Sequence, residues 1–91
     1  MPDRYVLRLY VAGPSLSSTR AVEVVRTICD EHLRDRYDLE VVDVYQQPLL
    51  ALREGIMTVP TLVRLSPAPV RRMLGHLSDT RRVLLGLDLA E

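Results

Sequence analysis

The chain has 91 residues, enough for one small domain with one core and no more. Hydrophobic residues make up 47% and charged residues 26%, an ordinary balance for a soluble globular protein. Twelve basic residues face twelve acids, so the formal net charge is zero and the whole-chain electrostatic footprint of a nucleic-acid binder is missing.

The first predicted element is "YVLRLYV" (5–11), rich in β-branched and aromatic residues. Tyr5, Leu7, Leu9 and Val11 fall on one face and Val6, Arg8 and Tyr10 on the other, which predicts a strand. "AGPSLSS" (12–18) follows as a loop, punctuated by Gly, Pro and Ser. Ser17 or Ser18 is positioned to cap the next element by accepting a bond from a free backbone N–H. From there Val22, Val25, Ile28, Cys29, His32 and Leu33 recur at helical spacing, while Glu23, Arg26, Asp30 and Glu31 point elsewhere. The pattern is an amphipathic helix of about four turns. "YDLEVVDV" (37–44) reads as a second strand, half-buried to buried. Strand, helix and strand in this span make a βαβ unit, whose strands should be parallel and whose crossover right-handed.

The second half is less decided. "QQPLLALREG" (46–55) predicts a short helix starting at Pro48 and stopping at Gly55. "TLVRL" (61–65) predicts a strand, and "SPAPV" (66–70) a turn or extended link, because two prolines flank Ala68. "RRMLGHL" is ambiguous, and Ser78 offers another helix cap. "TRRVLLGLDLA" fits two periods at once. Leu84 with Leu87 and Leu85 with Leu89 pair as on a helix; Val83, Leu85, Leu87 and Leu89 alternate as on a strand. Gly86 weakens both readings, the helix by about 1 kcal/mol relative to Ala.

Little chemistry accompanies this frame. A thioredoxin-type site needs two cysteines two residues apart at the start of the first helix, where the helix N-terminus acidifies one thiol. "AGPSLSS" supplies serines there, and the one cysteine, Cys29, lies about three turns down the helix on its apolar face. A structural thiol is the expectation, with no internal disulfide and a reducing compartment. His32 and His76 are far apart, with no Cys/His cluster, so no metal is expected. His32 should edge the core face of its helix and His76 a solvated turn. No elbow motif marks a nucleophile, and no phosphate loop is present. The sequence has no run able to span a membrane and no signal-peptide core, so the expected location is cytoplasmic. Residues 1–45 carry six Arg against eight acids, and residues 46–91 carry six Arg against four. The arginine pairs of "VRRML" and "DTRRV" suit a protein partner or a solvated face better than DNA. The expected activity is therefore binding, not catalysis, and no cofactor is expected.

Two likenesses sharpen this. "GIMTVPTLVRL" (55–65) looks like the proline loop that faces the active cysteines of thioredoxin-like proteins. More specifically, "YVLRLYVAG" (5–13), "LEVVDV" (39–44), "TVPTLVRLSPAPVRRMLGHLSD" (58–79) and "VLLGLDL" (83–89) together resemble the circadian clock family KaiB. The likeness runs along nearly the whole chain, and the block from Thr58 to Leu89 agrees in spacing and identity together.

The resemblance implies one α/β domain over residues 1–91 that is metamorphic. Residues 5–44 form a thioredoxin-like βαβ unit common to two folds, and residues 46–91 are rebuilt. The family's ground state, usually a tetramer, has the order βαββααβ, and its binding-competent monomer has the order βαβαββα. It also implies a non-enzymatic timing component that binds the N-terminal ATPase ring of a KaiC-type hexamer. There it displaces a sensor kinase of the SasA type and helps sequester KaiA. Carried across, the partner-binding residues are Arg20, Leu52, Arg53, Gly55, Thr58, Arg64 and Arg72. Gly86 and Asp88 match positions that set the balance of folds, and Pro60, Pro67 and Pro69 are candidate isomerisation points. Gly55 stands where clock members often carry a lysine, Glu40 replaces a basic residue at the edge used to capture KaiA, and the acidic tail is short or absent. These departures suggest a relative acting with KaiC alone, in a simpler timer or a stress pathway. A stand-alone, redox-inactive sensor or adaptor domain of histidine-kinase signalling is the alternative.

Overall fold

The computed structural model describes residues 4–75 and 77–89. Its elements are β1 (Tyr5–Val11), α1 (Leu16–His32), β2 (Tyr37–Asp43), α2 (Pro48–Arg53), β3 (Thr61–Ser66), β4 (Arg71–Leu74) and α3 (Thr80–Gly86). The order βαβαββα is the thioredoxin-like one of the two that the resemblance offered. The ambiguous "RRML" is a strand, and the run with two periods resolves as a helix followed by a turn.

The four strands form one sheet in the order β2-β1-β3-β4. β1 runs parallel to β2 from Tyr5↔Tyr37 to Val11↔Asp43, as a βαβ unit requires. β3 returns antiparallel to β1, and β4 antiparallel to β3, with Leu62 opposite Met73 and Val63 opposite Arg72. Both faces of β1 pack against other elements, and only Arg8 interrupts its apolar pattern, on the face of Val6 and Tyr10, where it reaches Glu40. Leu7, Leu9 and Val11 join Val25, Ile28, Cys29 and Leu62 on the side of α1 and α3. Tyr10 meets Val42 and Val63 on the other side, with Leu50 and Ile56 against them.

Helix starts differ from the expected caps. Ser15, not Ser17 or Ser18, caps α1, with its hydroxyl accepting from the Ser18 N–H at 3.2 Å. Ser18 is buried because its own hydroxyl accepts from the Ala12 N–H at 3.1 Å, which fixes the loop to the first turn. Likewise Asp79, not Ser78, caps α3 through the Arg82 N–H. His32 is exposed rather than core-facing, because the chain turns at Leu33 and it is Leu33 that closes the core. The expectation for His76 lies outside the described residues.

Both short helices end in the same way. At α2 the Ile56 N–H reaches the Ala51 carbonyl and the Gly55 N–H reaches that of Leu52, a Schellman turn with Gly55 left-handed at φ +68°. At α3 the Leu89 N–H reaches Leu84 and the Asp88 N–H reaches Leu85, with Asp88 left-handed at φ +60°. Asp is among the few non-glycine residues that adopt that conformation readily.

Candidate functional site

The sequence-derived residues separate into three places. The first is the exposed end of α2 with the loop behind it. Leu49, Leu52 and Arg53 share one helix face at spacings of three and four, and Leu49 and Leu52 are 71% and 76% exposed. Beyond the left-handed Gly55, Met57 stands 92% exposed. Thr58 follows, its carbonyl fixed by the Thr61 hydroxyl at 2.6 Å. A small cavity of about 120 Å³ runs from Gly55, Met57 and Thr58 to Arg72 and Leu74 on β4. Arg72 is exposed at this cavity, and its guanidinium donates to the carbonyls of Glu54 and Gly55. Several large apolar side chains left exposed near basic residues have the composition of a docking site.

Arg20 lies elsewhere. It is exposed on α1 and lines a cavity of about 190 Å³ with Leu16, Ser17, Pro60, Gly75 and Leu77. That is where a thioredoxin would hold its thiols against the proline loop. Here Ser15, Leu16 and Ser17 occupy the helix start, and Pro60, after a cis bond, is buried behind them.

The third place holds Arg64, which is 2% exposed and so is not presented to a partner in this arrangement. Its side chain leaves the α1–α3 face of β3 and donates through Nη1 to Asp88 Oδ2 at 2.8 Å and through Nη2 to the Pro69 carbonyl at 3.0 Å. Nε has no partner. Burial of a guanidinium is tolerable only with such partners. The hydrogen bond from Arg64 and the nearby Arg71 hold the Asp88 carboxyl below the usual carboxylate range. Asp88 and Pro69, two of the residues carried across for the fold switch, thus meet on Arg64, while Gly86 lies on α3 against Met73. The link from β3 to β4 carries two further cis bonds, Ser66–Pro67 and Ala68–Pro69. A Cβ at Gly86 would overlap the Met73 side chain, Cγ at 2.6 Å, so this glycine lets α3 approach β4.

Sequence reasoning missed Met57, Leu49, Tyr45 and Leu74, all exposed and apolar. Met57 had a signal, an apolar residue inside a Gly-to-Pro loop; Leu49 and Leu74 had none beyond ordinary element periodicity. Glu40 lies on the outer strand β2 and accepts from Arg8 Nε at 2.8 Å, so its charge is partly countered within the sheet.

Catalytic groups are sparse. Burial pushes the Cys29 thiol up to about 11, the reverse of what a nucleophile needs. Among the described residues no group of three or more His, Cys, Asp or Glu is placed to hold a metal ion, and no helix is long and apolar enough to cross a membrane.

Fold and site together define a thioredoxin-like protein that lacks a thioredoxin's thiol pair and presents an apolar and basic face instead. The Synechococcus elongatus SasA N-terminal domain shares this fold at a TM-score of 0.76, with 23% identity over 100% of this chain and 90% of that one. The Drosophila thioredoxin Deadhead shares it at 0.76, with 15% identity over 94% of this chain and 80% of that one. The KaiB domain model matches residues 8–89. The circadian clock protein KaiB3 of Synechocystis is 46% identical over 96% of this chain and 85% of its own length. The chain belongs to the KaiB family.

Proposed function

We propose that the protein is a non-enzymatic timing component that docks on the N-terminal ATPase ring of a KaiC-type hexamer. There it modulates the hexamer's phosphorylation cycle and competes with a SasA-type sensor kinase. The observation that carries this reading is the exposed face of Leu52, Arg53, Met57 and Thr58 beside Arg72 and Leu74, in a chain of this family. Large apolar side chains at 76% and 92% exposure lose water favourably only against a partner. The fold shared with the SasA domain supports competition, since two proteins of one shape can seat on one surface. Arg20 adds a basic group at the neighbouring cavity. Capture of a KaiA-like protein would use the β2 edge, where Glu40 now stands.

In this reading residues 46–91 also rebuild. The thioredoxin-like order binds the ring, and a homo-oligomer of the order βαββααβ, tetramer or dimer, is the resting form in the cytoplasm. The second reading, a permanent thioredoxin-like sensor or adaptor domain in histidine-kinase signalling, is favoured by the SasA likeness alone.

The test is gel filtration of the protein with its own organism's KaiC-type ATPase, after hours with ATP. A co-eluting complex that forms slowly is expected. No complex with a folded, hexameric ATPase would overturn the docking and direct the search to a histidine kinase.

A further inference from the structure

α2 has only six residues, and a helix that short does not hold itself together in water. Ala51 is its one buried residue. Its Schellman turn uses the carbonyls of Ala51 and Leu52, and the Leu50 carbonyl accepts from the Glu54 N–H, which leaves later carbonyls to find other donors. Arg72 provides them. It sits on β4 opposite Val63, on the sheet face that α2 covers. Its Nη2 donates to the Glu54 carbonyl and its Nη1 to the Gly55 carbonyl at 3.2 Å. A cation there also meets the negative end of the helix dipole. Both terminal nitrogens of the guanidinium are therefore engaged within the chain, on two of the three residues that separate Arg53 from Met57.

We infer that Arg72 is a positioning residue for the docking face. Its guanidinium clamps the last turn of α2 to β4 and so holds Leu52, Arg53, Met57 and Thr58 in the geometry a partner meets. The inference rests on the docking reading above, and it changes the part Arg72 plays there from direct contact to support. Gly55 belongs to the same device: its left-handed turn aims its carbonyl at Arg72, with Nη1 lying 3.9 Å from where a Cβ would be.

The experiment is hydrogen exchange on the full chain, as the dilute free monomer in the thioredoxin-like order and bound to the ATPase ring, for wild type, Arg72→Met and Arg72→Lys. In the free Arg72→Met protein the amides of Glu54, Gly55 and Ile56 should exchange about tenfold faster, while those of β1 and β2 stay unchanged. The complex should dissociate faster by a similar factor. Arg72→Lys keeps the charge without the fork and should fall between the two in both readouts. Loss of the complex with unchanged exchange in the free protein would make Arg72 a direct contact and overturn the inference; so would no change in either. Exchange in the free protein needs no ring. A wild type that binds none would remove the docking reading and leave the clamp to stand or fall on exchange alone.

Discussion

Two residues show how one position sets local behaviour. Gly55 is left-handed at φ +68°, and the space around its missing Cβ is open apart from the Arg72 guanidinium at 3.9 Å. Gly55→Ala therefore meets no serious clash, and its cost is the backbone's alone, about 1 kcal/mol. Denaturant unfolding of the dilute monomer should show a lower midpoint with an unchanged slope; an unchanged midpoint would mean that this turn is not held in that state. Cys29 is fully buried among Val25, Ile28 and Leu33, and its thiol sits at about 11. Only thiolate attacks a disulfide reagent. At pH near 8 Cys29 should stay unlabelled by such a reagent until denaturant is added, and rapid labelling of the native protein would contradict the packing of α1.

At the level of elements, α2 and α3 are each tied down by an arginine of the sheet, α2 by Arg72 and α3 by Arg64. These ties explain what the sequence left undecided. Residues 5–44 were legible because two strands and a long helix carry their own periodicity, and each period names a face. Helices of six and seven residues carry too little. The helix in "VLLGLDL" is followed by Asp88 reaching a guanidinium 24 residues earlier in the chain, a contact no local pattern announces. For the same reason Arg64 read as a surface contact when it is buried. The tie has a pH signature. Asp88 is depressed below its ordinary value in the folded chain, chiefly by the Arg64 hydrogen bond. Its contribution is present above the unfolded carboxylate's pKa, about 4, and is lost as pH falls through the lower folded value. In the thioredoxin-like monomer Asp88→Asn should thus be less stable than wild type at neutral pH, with the difference closing on acidification. Arg64→Met, which removes the buried charge, should cost less than Asp88→Asn, which strands it. A wild type and Asp88→Asn that stay equally far apart in acid would rule the ion pair out as the lock on α3.

For the molecule as a whole, the sheet joins a half that reads unambiguously to a half that does not. β1 is the seam: it pairs with β2 along seven residues on one side and with β3, through a register shift at Val6 and Leu7, on the other. What lies beyond β1 consists of short elements, two arginine ties and a proline-rich link, and the exposed Leu49, Leu52, Met57 and Tyr45 gain nothing from this packing. A second packing of residues 46–91 that buried such side chains between copies would compete with it within a few kcal/mol, as the proposed metamorphism requires. Mass action then fixes the direction of a concentration effect. An oligomeric resting form is favoured by concentration, and the monomer that binds the ring is favoured by dilution. Diluting the protein long before mixing should raise the observed rate of association with the ATPase ring, and concentrating it should lower that rate at the same final protomer concentration. The comparison must allow hours for re-equilibration, since dissociation comes first and rebuilding second. A rate indifferent to the history of dilution would remove the oligomeric resting state. If the protein were also monomeric at every concentration, the permanent sensor-like fold would be the better account of this chain.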